Sequence, residues 1–255
     1  MDHDLKRKPV FLTVITLVLL LLSTSAFQSN QFIQYVSANS QPLFHPGYGT
    51  ATIDGYIDPV EWATADSLSL PMYSADTPLT GTFYVMQTAT DLYFGFMIDD
   101  DEFTQDPVGK WGVYGDMIEI GFDDNNNGTL FEAGENKISV YSYDPWFRDA
   151  YLTGTGESSS TDTIGGGASN GAGMSARHAD KNHFEASFPL CSGDTGFDFC
   201  LQPGDTLGFW LEYYDAYMDP EFSLDNMFYP GTEDFYSLAL IETGDFHIYL
   251  PLILK

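Results

Sequence analysis

Apolar and polar residues alternate along most of this chain, and the alternation predicts strands almost throughout. In Leu92 to Asp99 the apolar positions are Leu92, Phe94, Phe96 and Ile98, the two-residue period of a strand with one face in a core. Gly81 to Ala89 leads into it through Thr88-Ala89-Thr90-Asp91, and together they predict a hairpin. In Asp116 to Asp123, Ile118, Ile120 and Phe122 fall on one face, with Met117, Glu119 and Gly121 on the other. In Thr206 to Asp215 the same rule separates Leu207, Phe209, Leu211 and Tyr213 from Trp210, Glu212 and Tyr214. Each of the last two strands thus has a core face and a second face that bears a carboxylate. No amphipathic helix pattern emerges, and the expected fold is all-β: one antiparallel β-sandwich, jelly-roll-like, in a single domain.

The pattern breaks in three places. At the start, Lys6, Arg7 and Lys8 precede an apolar run from Pro9 to Leu22 and the small residues Thr24-Ser25-Ala26. Residues 1–26 therefore read as a cleaved export signal, and no integral membrane segment is expected after cleavage. Residues 27–49 read as a loosely ordered lead-in and 50–246 as the sandwich. Inside the sandwich, residues 154–176 are Gly- and Ser-rich and predict a mobile loop between two strands. At the end, residues 247–255 form a short apolar tail, either a last strand or a surface-retention signal.

Charge narrows the partners. The formal net charge is −28, which excludes nucleic acid as a partner, because there is no counterion-release gain for an acidic protein on a phosphate backbone. Acidic polysaccharides would be repelled as well, which leaves neutral glycans. Cys191 and Cys200 are the only cysteines, and in an exported chain such a pair predicts a disulfide. The five histidines show no ligand spacing; His178 and His183 flank the Gly/Ser stretch and are expected in solvent. Trp62 is expected in the core.

Asp123, Asn125, Asn127 and Gly128 follow the D-x-[DN]-x-[DN]-G spacing that turns alternate side-chain oxygens toward one hard cation. The flanks read as strands, so this is not an EF-hand. The expected calcium ligands are Asp123, Asn125, Asn127, the Thr129 carbonyl and Glu132 or Glu135; the alternative is an Asn-rich hairpin turn that holds no ion. Asp99-Asp100-Asp101-Glu102, at the end of another strand, is a second candidate for a cation or a solvated loop.

The phrases TIDGYIDPVEWATADSLSL, DLYFGFMIDDDE, GDMIEIGFDD, HFEASFPL and PGDTLGFWLEYYD, taken in order, resemble the successive strands of family 9 carbohydrate-binding modules over roughly Ala51 to Ile241. The resemblance implies a calcium-binding β-sandwich that holds sugars between two aromatic rings. It places Trp111 at one sugar-stacking position, Glu119 and Glu212 at the polar contacts to sugar hydroxyls, and Asn226 and Tyr229 at a further polar contact and the second ring. The arginine usual on the strand after the acidic loop is missing; Lys137 or Ser139 stands nearest to it.

These expectations combine into a secreted, non-catalytic, calcium-stabilised protein that binds a neutral poly- or oligosaccharide. It would work beside a separate glycan-degrading enzyme or at a cell surface. Two alternatives stay open: a surface-displayed structural or adhesive protein without a sugar site, and a glycoside hydrolase that uses Glu119 and Glu212. Trp146 and Trp210 are further candidates for the sugar-facing surface.

Overall fold

The computed structural model describes residues 43–73, 78–105, 115–129, 132–144, 146–154, 158–202, 204–215, 227–228 and 236–239, all within the compact unit that spans residues 41–255. The predicted export signal, Trp111, Asn226, Tyr229 and the apolar tail lie outside these residues. Among the described residues the strands are β1 (Leu43–Phe44), β2 (Gly47–Tyr48), β3 (Asp66–Tyr73), β4 (Pro78–Gln87), β5 (Asp91–Ile98), β6 (Met117–Asp123), β7 (Asn136–Tyr141) and β8 (Phe147–Leu152). After β9 (Ser159–Thr161) comes one helical turn, α1 (Asp162–Gly165), and then β10 (Ala172–His178), β11 (Lys181–Pro189), β12 (Thr206–Tyr214), β13 (Met227–Phe228) and β14 (Tyr236–Ala239). No helix among them is long and apolar enough to cross a membrane.

The strands form two sheets. The eight-stranded sheet has the order β1-β14-β12-β6-β7-β8-β9 with β13 beside β12, and the six-stranded sheet runs β10-β11-β5-β4-β2 with β3 beside β4. Pairing is antiparallel except for β1 with β14 and β2 with β4. The β4–β5 hairpin turns through Thr88 to Asp91, where Thr88 N–H donates to the Asp91 carbonyl at 2.8 Å.

The predicted core faces meet between the sheets. Leu92, Phe94, Phe96 and Ile98 of one sheet and Ile118, Ile120, Phe122, Leu207, Phe209, Leu211 and Tyr213 of the other belong to one buried cluster. Its rings interlock across the layers: Phe122 lies 5.8 Å from Phe94 and Phe83 lies 5.6 Å from Phe209, centroid to centroid. Burying aromatic surface of this size is the main stabilising contribution in a sandwich whose described residues include no long helix to cover its sheets.

Three expectations need correction or completion. Residues 154–176, predicted as one mobile loop, contain β9, α1 and the start of β10. The reason is hydrogen bonding rather than apolar burial: β9 pairs with β8, β10 pairs with β11, and Asp194 Oδ2 accepts from the Ala168 N–H. His183, expected in solvent, is 3% exposed and accepts the Ile57 N–H on Nδ1. Burial holds this imidazole down to about 4, with help from the nearby His178 and Lys181. Cys191 and Cys200 are joined by a disulfide, as their spacing predicted.

Candidate functional site

The outer face of the eight-stranded sheet carries the predicted carboxylates. Register sets them side by side: Glu119 on β6 pairs with Glu212 on β12 and with Ser139 on β7, while Gly121 pairs with Trp210 and Lys137. Directly opposed residues of antiparallel strands hold their Cβ atoms about 4.5–5.5 Å apart, so Glu119 and Glu212 are neighbours. Gly121 makes room for Trp210: a Cβ there would lie 2.0 Å from the indole Cε2. Trp210, left open by the sequence, therefore lies across β6 on the same face as both carboxylates.

This face is nearly as buried as the core. Glu119 is 4%, Lys137 4% and Glu212 2% exposed. The Glu119 carboxylate accepts from Lys137 Nζ at 2.9 Å, Ser139 Oγ at 2.8 Å and Tyr214 Oη at 3.4 Å. Both residues that stand nearest to the missing arginine thus touch Glu119. Lys137 gives the carboxylate a buried countercharge, and Ser139 and Tyr214 fix its orientation.

The acidic hairpin between β6 and β7 closes largely on itself. Asp123 accepts the Asn127 and Gly128 N–H groups, Asn127 Oδ1 accepts the Thr129 N–H, and Asn125 and Asn127 both donate to Glu132 Oε2. That is the Asx-turn chemistry of a tight hairpin. Glu135 is the exception. Its Oε2 accepts the Glu132 N–H, but its Oε1 is buried with no hydrogen-bond partner among the described residues. Burial first, then Asp123, Asp124 and Glu132, pushes its carboxyl up to about 7.

Two other acidic groups converge more closely. Asp100, Asp116 and Asp215 each place an oxygen within 4.8 Å of the others, as do Asp149, Asp162 and Asp198. The predicted Asp99 to Glu102 cluster is thereby divided. Asp99 pairs with Lys181, Asp100 turns inward to accept from Tyr213 Oη, and the Asp101 and Glu102 carbonyls accept from Arg177. The second trio draws on segments far apart in sequence and was not foreseen.

The opening Ile53-Asp54-Gly55 phrase has its own partner. Glu185 Oε2 accepts the N–H groups of Asp54, Gly55 and Tyr56, and Oε1 accepts the Trp62 indole N–H at 2.9 Å. Gly55 needs its φ of +87°, and a Cβ there would lie 2.8 Å from the Ser175 carbonyl carbon. Burial lifts Glu185 to about 7 against the pull of its four N–H donors. Trp62, predicted as core, packs in a second buried cluster with Ile57 and Met86. The phrase is thus a structural clamp on β11 of the six-stranded sheet.

The comparison with solved structures matches this architecture. A family 9 carbohydrate-binding module from Caldicellulosiruptor kristjanssonii in complex with cellotriose superposes with a TM-score of 0.54 at 17% identity, over 82% of this chain and 98% of that one. The chain has the family 9 carbohydrate-binding-module fold. The Caldicellulosiruptor module with glucose aligns equally well, with a TM-score of 0.54 at 17% identity over 80% and 97% of the two chains. A Bacteroides uniformis protein described as an inferred carbohydrate binder gives 0.51 at 8% identity, over 78% and 99%. No protein-family model and no curated protein sequence matches the chain. Within this module fold, Glu119 and Glu212 occupy the outer face of the larger sheet and the acidic hairpin one end of it.

Proposed function

We infer that this chain is a secreted, non-catalytic carbohydrate-binding protein that holds neutral glycans against the outer face of its eight-stranded sheet. The observation that carries the reading is the Glu119 carboxylate, fixed by Lys137, Ser139 and Tyr214 and flanked by Glu212 and Trp210 on one sheet face. Sugar hydroxyls need oriented charged partners, and pyranose C–H faces need flat rings. Glu119, Glu212 and Trp210 support this reading, on a fold shared with modules that hold cellotriose and glucose. Trp111 and Tyr229 are assigned as stacking rings, Asn226 as a further polar contact, and the Asp123 to Glu135 hairpin as a calcium site that stabilises the sandwich. The buried, unpartnered Glu135 Oε1 supports the calcium assignment.

The test is calorimetry of the full-length chain against glucose, cellotriose and a panel of neutral oligosaccharides in calcium, beside Trp111→Ala and Glu119→Gln. Binding that both substitutions weaken at least tenfold, with no sugar released, supports the module reading. Hydrolysis of a bound oligosaccharide that Glu119→Gln abolishes without loss of affinity would make the chain a glycosidase instead. No binding to any neutral glycan would favour a structural or adhesive surface protein.

A further inference from the structure

Exposure on the outer face of the eight-stranded sheet is uneven. Glu119, Glu212 and Lys137 are almost closed off from solvent, whereas Tyr141, Trp146 and Arg148, toward β8, are half-buried. Register carries the face across to them in two parallel rows. In the first, Glu212 pairs with Glu119, Glu119 with Ser139 and Ser139 with Arg148, so a polar row ends on a guanidinium. In the second, Tyr214 pairs with Met117 and Met117 with Tyr141, and the Tyr141 N–H donates to the Trp146 carbonyl at 2.9 Å, which sets Trp146 opposite Tyr141. Trp146 stands two residues before Arg148, and side chains two apart on an extended strand share a face. The second row is therefore one of half-buried rings, Tyr214, Tyr141 and Trp146, broken only by Met117.

Arg148 supplies an independent pointer. Of the four basic side chains among the described residues, Lys137 and Lys181 form ion pairs, and Arg177 donates to three carbonyls and to Asn182. Arg148 makes one hydrogen bond, from Nη2 to Ser159 Oγ at 3.4 Å, and its Nε is buried with no partner among the described residues. Its charge acts on Asp162, but it pairs with no described carboxylate. A guanidinium holds five N–H donors in a fixed fork, and native interiors seldom leave a buried donor unmet. The fork is thus built for acceptors that the described residues do not supply.

We propose that Tyr141, Trp146 and Arg148 form a second sugar subsite over β7 and β8, so that the ligand is a neutral oligosaccharide chain laid across the strands rather than a single sugar unit. The proposal rests on the reading of this face as a glycan surface and extends it to a specific length of ligand. Neighbouring strands lie about 4.7–4.9 Å apart, which puts Arg148 on β8 about 9.5 Å from Glu119 on β6. The Arg148 head also leans away from Glu119, toward Ser159 on β9. Glu119 and Arg148 therefore serve different units of one chain.

The chemistry of the subsite is that of sugar recognition. Positions two apart on a strand are about 6.6 Å apart, so a pyranose ring stacked by its C–H face on the Trp146 indole presents its edge oxygens to the Arg148 fork. Arg148 donates and the sugar hydroxyl and ring oxygens accept, while the Tyr141 ring extends the platform back toward Glu119. The formal charge of −28 keeps the ligand neutral, because a polyanion would meet one guanidinium here and carboxylates elsewhere.

The experiment is calorimetry of the full-length chain with glucose and cellotriose, and with xylose and xylotriose, for wild type, Trp146→Ala, Arg148→Met and Glu119→Gln. In the series that binds, wild type should hold the trisaccharide at least about tenfold more tightly than the monosaccharide, a factor that one ring contact or one charge-assisted hydrogen bond supplies. Trp146→Ala and Arg148→Met should each reduce that ratio to below about threefold, whereas Glu119→Gln should weaken both ligands. Wild type that binds monosaccharide and trisaccharide equally, or variants that keep the tenfold ratio, would overturn the second subsite and leave the glycan reading in place. Trp146→Ala and Arg148→Met that weaken both ligands by the same factor would also overturn it, since they would then act through the unit at Glu119. No binding in either series removes the glycan reading itself, and the subsite with it. Should Trp146→Ala or Arg148→Met fail to fold, the wild-type ratio still decides, together with Arg148→Lys. That variant keeps the charge and the stem but loses the planar fork, and it should lower the ratio at least about threefold; an unchanged ratio counts against the subsite.

Discussion

Two buried groups of carboxylates in this molecule solve the same electrostatic problem in opposite ways. Glu119 has a protein cation, Lys137, at 2.9 Å and two hydroxyl donors beside it. Asp149, Asp162 and Asp198 crowd together and, among the described residues, have no lysine beside them and leave several oxygens without a donor. An ionised carboxylate in a protein interior needs compensation, from a countercharge, from hydrogen bonds, or from a proton or metal taken out of solution. The sheet face is thus compensated from within the chain. The acid trio is incomplete, and its completion depends on the solution.

The largest test of that contrast removes the countercharge. Lys137→Met should leave Glu119 charged and uncompensated beside Glu212 and cost about 3–5 kcal/mol, read as a lower urea midpoint at unchanged m-value. A loss below about 1 kcal/mol would mean that Lys137 does not hold the face together.

Next in size is the response to pH in chelator, which separates the two groups without mutation. Asp149 stands at about 8, and Glu135 and Glu185 at about 7, all above their values in an unfolded chain. As pH rises from about 4 toward 8 the unfolded chain gives up these protons first, so the folded state loses stability over that window. His183, held down at about 4, acts in the opposite sense: the unfolded chain protonates it below about 6.5, so its contribution is lost as pH falls from there toward 4. The carboxyls outnumber it, and Tm should fall between pH 6.5 and 8, where the opposing contribution of His183 fades as the unfolded imidazole loses its proton. Calcium at the acidic hairpin should remove only the share of that fall that Glu135 contributes. A Tm that climbs steadily to pH 8 in chelator would show that these carboxyls are ionised in the folded chain without help.

The paired face was largely legible in the sequence and the trio was not. Alternation in β6 and β12 separated Glu119 and Glu212 from Ile118, Ile120, Leu207 and Phe209, because a strand's period links neighbours in sequence to opposite faces. Lys137 stood close enough along the chain to be named beside Ser139. Asp149, Asp162 and Asp198 come from β8, α1 and the disulfide loop, and only the folded chain joins them. Asp162 lay within a stretch whose composition argued for a mobile loop; composition does not report the backbone pairing of β8 with β9 and β10 with β11 that orders it. The Glu185 clamp on Asp54 to Tyr56 was hidden for the same reason. His183 was misplaced because an isolated histidine carries no periodic signal of which side of a strand it occupies.

A smaller effect is expected from the ring on the paired face. Gly121→Ala would put a methyl group where the Trp210 indole lies and should cost about 1–3 kcal/mol through overpacking. If Trp210 is part of the sugar-facing surface, glycan affinity should fall further than stability does. Unchanged affinity in a destabilised but folded variant would assign Trp210 to packing alone, and would leave Trp111 and Tyr229 as the rings to examine.

The smallest effect provides the control for the first. Lys181 and Asp99 also form an ion pair, but their side chains are 36% and 48% exposed, against 6% and 5% for Lys137 and Glu119. Water solvates the exposed pair in both the folded and unfolded states, so Lys181→Ala should cost only about 0–1 kcal/mol and less still in high salt. Lys137→Met, in a site screened from ions, should keep its full cost at the same salt concentration. If salt reduced both losses alike, Glu119 and Lys137 would have to be open to solvent in solution, and the oriented acceptor proposed for that face would be as mobile as any surface carboxylate.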